Sequence, residues 1–241
     1  MIVLEGERFE HLGNRCRTQA GWESGWHLEG HCFRDCWWDE VGTGMFDGVP
    51  IGDWPRFTDV AFVGGEVGSM WHAGHTVLDG VDIDGLQREV WMTDCAMRHV
   101  RLAGRIPDVR ITWGQRLPPT DAGTEVTDAF HADVDWLFDV SDLRCRELYL
   151  REAPPHQVII DPLRQGFLRL DAPDEWRAAF DGVELVGITG SVIGWHMEKP
   201  QSGAQSFVDI NPRSRNGPAE MELLAHAVAA GLTRPTYEGA R

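Results

Sequence analysis

The sequence predicts a mainly β protein, an irregular β-solenoid followed by a small α+β region at the C-terminal end. Three observations lead to this prediction. Apolar residues recur with a period of five over residues 26–150, the rhythm stops after Ala153-Pro154-Pro155, and an amphipathic helix is indicated near the C-terminus. With 241 residues, of which 42% are hydrophobic, the chain is long enough to bury a substantial core.

The five-residue rhythm is clearest over residues 90–104. Each block begins with a small apolar residue and places a large one two positions later: Val90/Met92, Cys95/Met97 and Val100/Leu102. Residues five positions apart do not lie on the same face of an α-helix, and they do not lie on the same face of a continuous strand. Short extended stretches with two inward residues, separated by corners, explain the spacing. Stacked stretches of this kind form a solenoid with an apolar interior.

On these blocks the sequence resembles the pentapeptide-repeat proteins. That family has a right-handed, four-sided β-helix of roughly twenty residues per coil. Each block has two inward-facing residues, and the family prefers a small residue at the first of them. Cys36, Val60, Thr76 and Cys95 satisfy this preference. The resemblance covers about residues 26–150 and implies an irregular right-handed β-solenoid; an ordinary β-sandwich or barrel is the alternative.

The predicted organisation has three parts: an N-terminal cap at residues 1–25, the pentapeptide-like solenoid at 26–153 with a loop excursion near 105–133, and an α+β region at 154–241. Within the last part, the pattern predicts strands near 158–160, 167–170, 183–186 and 192–195, a short helix at 174–180 and a helix at about 218–231. Pro218 in the first turn and Gly231 at the end mark this last helix.

The charge balance excludes several classes of partner. Thirty-eight acidic residues against 22 basic ones give a net charge of −16, and Lys199 is the only lysine. Direct binding to nucleic acid or to an anionic membrane requires a basic surface. Five cysteines are too few and too scattered for a disulfide framework, and the sequence has neither a signal peptide nor an apolar run of bilayer length. We therefore expect a cytoplasmic protein.

One group of histidines and cysteines has the composition of a zinc site: His27, His31, Cys32 and Cys36. His31 and Cys36 also fall on inward repeat positions, so a structural role is favoured over metal binding. No motif for nucleophilic catalysis, phosphate binding or dinucleotide binding is present. The sequence thus predicts no catalytic residue and no cofactor, and a β-helical hydrolase or a zinc-site enzyme is a secondary alternative.

Aromatic and acidic residues provide candidates for a protein-binding surface. Tryptophan is enriched at the centres of protein interfaces, and an acidic surface attracts a basic partner. The candidate residues are Trp37, Trp54, Trp71, Trp91, Asp82, Asp84 and Asp94.

The favoured function is a non-enzymatic, immunity- or antitoxin-type inhibitor of a basic partner protein, either a toxin or a topoisomerase. The resemblance implies an alternative, a DNA mimic that protects DNA gyrase. It also implies a homodimer through the helix at 218–231.

Overall fold

The computed structural model divides the chain into two compact units, Met1–Tyr149 (unit 1) and Leu150–Arg241 (unit 2). The residues that the structure describes are 2–6, 8–9, 17–18, 21–22, 27–38, 41–42, 51–67, 71–74, 76–93, 95–112, 130–151, 153–169, 171–198 and 205–239. Among them, no helix has the length and apolar character needed to cross a bilayer.

Unit 1 is built from short strands. They are β1 (Ile2–Glu5), β2 (Arg8–Phe9), β3 (Arg17–Thr18), β4 (Gly21–Trp22), β5 (His27–Glu29), β6 (His31–Arg34), β7 (Trp37–Trp38), β8 (Val41–Gly42), β9 (Arg56–Thr58), β10 (Ala61–Val63), β11 (Glu66–Val67), β12 (Trp71–Gly74), β13 (Val77–Asp79), β14 (Asp82–Asp84), β15 (Val90–Thr93), β16 (Ala96–Arg98), β17 (Val100–Arg105), β18 (Asp108–Thr112), β19 (Phe138–Asp139), β20 (Leu143–Arg144) and β21 (Glu147–Arg151). A 3-10 turn at Ile51–Asp53 precedes β9.

Most strands of unit 1 pair in parallel. The largest sheet has the order β1-β6-β10-β14-β17-β19, with β20 also paired to β17. Three further sheets have the orders β16-β13-β9-β5, β21-β18-β15-β12-β8 and β11-β7-β2. The small β3–β4 pair is antiparallel. Neighbouring strands of a sheet are therefore separated in sequence by strands of other sheets.

Inward-facing and outward-facing side chains alternate along each strand, and the inward-facing side chains of neighbouring strands form buried rows. In the largest sheet, Phe33, Phe62, Ile83 and Leu102 are paired side by side and are all buried. The Phe33 and Phe62 rings stack with centroids 5.4 Å apart. Because side chains two residues apart share a face of a strand, the residues flanking each of these positions point to the other face.

The corner that follows β5, β9, β13 and β16 has the same backbone conformation at each level. Gly30, Asp59, Gly80 and His99 lie at equivalent positions with φ between 52° and 66°. The N–H of each of the first three donates to a carbonyl oxygen of the next level, at 2.8–3.1 Å. Glycine adopts this left-handed conformation freely, and aspartate and histidine tolerate it better than most other residues.

The predicted pentapeptide-repeat solenoid is wrong, and so is the mainly β class. The chain combines mostly parallel sheets with three α-helices in its described part, an α/β-type arrangement. Ala61, Asp82, Arg101 and Asp139 are partners on successive strands, so their spacing changes from 21 to 19 to 38 residues rather than staying near twenty. Three-residue strands joined by two-residue corners produce a local period of five without a regular repeat.

Unit 2 contains strands and helices together. Its elements are β22 (Val158–Ile159), β23 (Gln165–Arg169), α1 (Pro173–Ala179), α2 (Gly187–Glu198), β24 (Gln205–Asp209) and α3 (Gly217–Ala229), with a 3-10 turn at Pro155–Gln157. Strands β23 and β24 form an antiparallel pair. This pair and the helices carry the core of the unit.

The core of unit 2 brings all three helices onto β23 and β24. Trp176 of α1, Ile193 of α2 and Leu224 of α3 are buried together with Leu168 and Val208 of the two strands. The indole N–H of Trp176 donates to the carbonyl oxygen of residue 169. The apolar stripe of α3 is thus buried within its own unit, and the homodimer through this helix stays a prediction.

The strands predicted at 183–186 and 192–195 are wrong. Residues 192–195 lie in α2, and no strand forms at 183–186. Thr189, Ile193 and His196 are buried at helical spacing along α2. Both the N–H and the hydroxyl of Thr189 donate to Glu220 Oε2 at 3.0 Å, which anchors the first turn of α2 on α3. Tertiary packing here outweighs the strand propensity of the valines and isoleucines.

Candidate functional site

Two of the predicted acidic residues, Asp82 and Asp84, share the outward face of β14. Ile83 between them points inward and is fully buried. The outward face of an adjoining strand, β17, contributes Arg101, which is the register partner of Asp82. The alternation of β14 therefore places two carboxylates side by side at the surface of the largest sheet.

Arg101 is the cation of this group. Its Nη1 donates to Asp82 Oδ1 at 3.1 Å and Oδ2 at 3.2 Å, and its Nη2 donates to Asp142 Oδ2 at 3.4 Å. We call Asp82, Asp84, Arg101, Asp139 and Asp142 the Asp82 cluster. It contains four carboxylates and one guanidinium.

The Asp82 cluster has a net negative charge, because it contains four carboxylates and one guanidinium. Burial raises the pKa of Asp82, and Arg101 opposes this increase. The neighbouring carboxylates Asp84 and Asp139 raise the pKa further. A like charge nearby disfavours ionisation, whereas the cation of Arg101 favours it.

Asp84 also has a structural role that its sequence position does not reveal. Gly104 has φ +66°, and a Cβ at this glycine would lie 2.1 Å from Asp84 Oδ1. The same relation joins Asp35 to Gly64 and Asp59 to Gly80, with distances of 2.3 and 2.6 Å. Each carboxylate thus occupies the space that the missing side chain of a glycine leaves at a neighbouring corner.

The predicted tryptophans differ in how much of the side chain is accessible to a partner. Trp91 is half-buried, and its indole N–H donates to Glu89 Oε2 at 3.0 Å, while the Arg110 guanidinium lies 5.0 Å from its ring centroid. Trp54 is buried against Val77 and Ala96, so it packs within unit 1 instead of forming a binding surface.

Three other candidates are described only in part or not at all. The backbones of Trp37 and Trp71 lie in β7 and β12, but their side chains lie outside the described part of the structure. Asp94 lies outside the described residues altogether.

The candidate zinc residues make protein contacts. His31 Nδ1–H donates to the carbonyl oxygen of Glu29 at 2.6 Å, and the Cys36 thiol lies 3.4 Å from the carbonyl oxygens of Leu4 and Arg34. Cys32 is buried, and the His27 side chain is not described. Over the ranges the structure describes, no group of three or more His, Cys, Asp or Glu side chains could hold a metal ion.

The Cys36 contact belongs to a pattern that recurs at other corners. Thr76 Oγ1 donates to the carbonyl oxygen of Gly74 at 3.0 Å, and the Cys95 thiol lies 3.6 Å from that of Thr93. In each case a small side chain donates to the carbonyl two residues earlier. Small donors at these positions satisfy buried backbone acceptors.

Sequence reasoning missed His131, which is buried in unit 1. Its Nε2 accepts a hydrogen bond from the backbone N–H of Met97 at 3.0 Å, which fixes the neutral ring with its proton on Nδ1. Burial lowers the pKa of His131 to about 4. The sequence offered no signal for this contact, because the two residues lie 34 positions apart.

Comparison of the chain with models of protein families, with curated proteins and with solved structures finds no match. The resemblance to pentapeptide-repeat proteins therefore has no support from related sequences or structures, in agreement with the variable spacing of its strands.

Proposed function

We propose that this protein is a non-enzymatic acidic binding protein that uses the Asp82 cluster to bind a basic partner protein. In this proposal it acts as an inhibitor of the immunity or antitoxin type. The observation that carries the proposal is the sharing of the Arg101 guanidinium by two carboxylates, Asp82 and Asp142, with Asp84 beside them on the outward face of β14. An arginine or lysine from a partner would supply the missing positive charge.

The distribution of charge between the units supports the same conclusion. Unit 1 contains 26 acidic and 13 basic residues, a net charge of −13, whereas unit 2 contains 12 acidic and 9 basic residues, a net charge of −3. A concentrated field of one sign increases the rate at which a partner of opposite sign associates. Rapid association is what an inhibitor of a toxic protein requires.

Cys32 is a free, buried cysteine, and the thiols of Cys36 and Cys95 contact backbone carbonyl oxygens. Reduced thiols persist in the cytoplasm, where we place the interaction.

The decisive experiment compares two pairs of charge-neutralising substitutions. Asp82→Asn with Asp84→Asn removes two carboxylates from the Asp82 cluster, and Glu222→Gln with Glu238→Gln removes two exposed carboxylates from unit 2. The association rate with a synthetic oligoarginine peptide is measured by stopped flow at several ionic strengths. We expect the first pair to slow association about threefold to tenfold at low salt and the second pair to leave it nearly unchanged.

Equal slowing by both pairs would show that only net charge matters, and the Asp82 cluster would lose its role. The inhibitor function has its own test, co-purification with the product of the neighbouring gene. A basic toxin that wild-type protein inhibits stoichiometrically, and that the Asp82→Asn/Asp84→Asn variant inhibits only at a higher dose, is the expected result. A neighbouring gene product that neither binds nor is inhibited contradicts this part of the proposal.

A further inference from the structure

One face of α2 in unit 2 is apolar and exposed. Ile188 and Trp195 lie two helical turns apart and are 74% and 44% exposed, and the half-buried Val192 lies between them. Ser191 is also on this side, but its hydroxyl donates to the carbonyl oxygen of Gly187 at 2.8 Å and is satisfied within the helix. We call Ile188, Val192 and Trp195 the α2 face.

The opposite side of the same helix is occupied by the core of unit 2. Ile193 is fully buried there, and Thr189 is held by Glu220. A helix that is apolar on all sides is normally covered on all sides. On the α2 face the unit leaves Ile188 and Trp195 exposed, while Val192 between them also packs against the core.

Carboxylates outnumber basic residues in the sequence around α2. Residues 178–199 include the three carboxylates Asp181, Glu184 and Glu198 and one cation, Lys199, which lies outside the described part of the structure. These three carboxylates are exposed, and none of them forms an ion pair within the described ranges. The nearest preceding cation, Arg177, is engaged by Asp174 Oδ1 and by the carbonyl oxygen of Met197.

We infer that the α2 face is a docking surface for a cationic amphipathic helix of a partner protein. Large apolar side chains of such a helix would cover Ile188 and Trp195, and flanking lysines or arginines would face Asp181, Glu184 and Glu198. Charge complementarity selects this occupant over a second copy of the chain, because two molecules of net charge −16 repel each other. The inference is independent of the Asp82 cluster, which lies in unit 1.

The test uses a short synthetic helix in which leucine forms one face and lysine the other. Its affinity for the full chain is measured by isothermal titration calorimetry. We expect Ile188→Ser with Trp195→Ala to weaken binding about tenfold or more, because exposed tryptophans are frequent binding hot spots. Leu163→Ser with Val228→Ser is the matched control, since these two side chains of unit 2 are also exposed. The control pair should change the affinity by less than about twofold.

Two further peptides separate the contributions of shape and charge. A scrambled peptide of the same composition, whose leucines do not share one face, should bind at least about tenfold more weakly. A peptide with glutamate in place of lysine should not bind measurably. Equal binding of the ordered and scrambled peptides would contradict recognition of an apolar face.

The outcomes also separate this inference from the proposed function. Loss of peptide binding in the Asp82→Asn/Asp84→Asn variant but not in the Ile188→Ser/Trp195→Ala variant would overturn the role of the α2 face and leave the Asp82 cluster intact. A dimer in solution that Trp195→Ala converts to a monomer would show that a second copy covers the face, and would likewise overturn the inference.

Discussion

Units 1 and 2 bury their apolar side chains in different ways. In unit 1, equivalent residues of successive parallel strands form rows, in which Leu102 lies beside Ile83 and Ile83 lies beside Phe62. In unit 2, three helices and two strands converge on one core, and Trp176 is part of it. The effect of a substitution on the stability of unit 1 should therefore depend on the row to which the residue belongs. In unit 2 it should depend on the individual contacts of the residue.

Acidic residues also have different structural roles in the two units. Carboxylates of unit 1 lie over glycines at the corners, as Asp35 does at Gly64. The buried carboxylate of unit 2, Glu220, instead holds the first turn of a helix through Thr189. Carboxylates near the positive end of a helix are stabilised by its dipole.

The largest effect is expected from Leu102→Asp. Leu102 is fully buried in its row, so this substitution places an unpaired charge in the core of unit 1. We expect a loss of more than about 4 kcal/mol in the free energy of unfolding, measured by urea denaturation. The control is Thr93→Asp, at a half-exposed position of β15, which should cost less than about 1 kcal/mol. Similar effects of both substitutions would show that the rows are assigned wrongly.

Trp176→Ala is the corresponding change in unit 2. Removal of this fully buried indole should cost about 3–5 kcal/mol, since it leaves a cavity and an unpaired carbonyl at residue 169. Trp195→Ala is a control of the same chemistry on the α2 face and should change the free energy of unfolding by less than about 1 kcal/mol. Hydrogen exchange of the amides of α1 and α3 would localise the loss to unit 2. A loss of similar size for Trp195→Ala would mean that this side chain packs inside the unit.

The third prediction concerns pH. Burial lowers the pKa of His131 in unit 1 and of His196 in unit 2 to about 4. Between pH 6.5 and pH 4 the unfolded chain therefore binds more protons than the folded one, and stability falls as pH falls through this window. At pH 4.5 the loss should be on the order of 2 kcal/mol for each histidine.

The two histidines should nevertheless respond differently to replacement by leucine. His131→Leu leaves the N–H of Met97 without its acceptor and should be destabilising at pH 7 by about 1–3 kcal/mol. Neither ring nitrogen of His196 has a hydrogen-bond partner in the described part of the chain, so His196→Leu should be nearly neutral at pH 7 and should reduce the pH dependence. Urea denaturation at pH 7 and pH 4.5 measures both effects. An unchanged pH dependence in both variants would assign it to other groups.

The smallest effect tests the corners of unit 1. Gly85 and Gly104 both have positive φ, but a Cβ at Gly85 meets nothing within 4 Å, whereas one at Gly104 meets Asp84. Gly85→Ala should cost about 1 kcal/mol from backbone strain alone, and Gly104→Ala about 1 kcal/mol more. Thermal denaturation in the Asp84→Ala background provides the double-mutant cycle. If the difference persists without the Asp84 side chain, its carboxylate is not the cause.

Several local features could be predicted from the sequence. The alternation around Met97 and Leu102 correctly predicts which side chains are buried, and the strand predicted near 167–170 and the helix predicted at 174–180 agree with β23 and α1 to within about two residues. The same alternation led to a wrong repeat family, because a period of five in short strands says nothing about the number of residues between paired strands. At the candidate site, the proximity of Asp82 and Asp84 follows from their spacing, but their relation to Arg101 and Gly104 requires the register of β14 on β17.

By itself, the sequence determined the charge of −16 and the alternation that separates Ile83 from Asp82 and Asp84, because both depend only on residue identity and on neighbours along the chain. The tertiary structure alone decided that residues 192–195 form part of a helix and that His131 accepts a hydrogen bond from Met97. It also decided that Glu220 anchors α2. These features depend on contacts between residues far apart in sequence, whose free energies outweigh the local preferences of the chain.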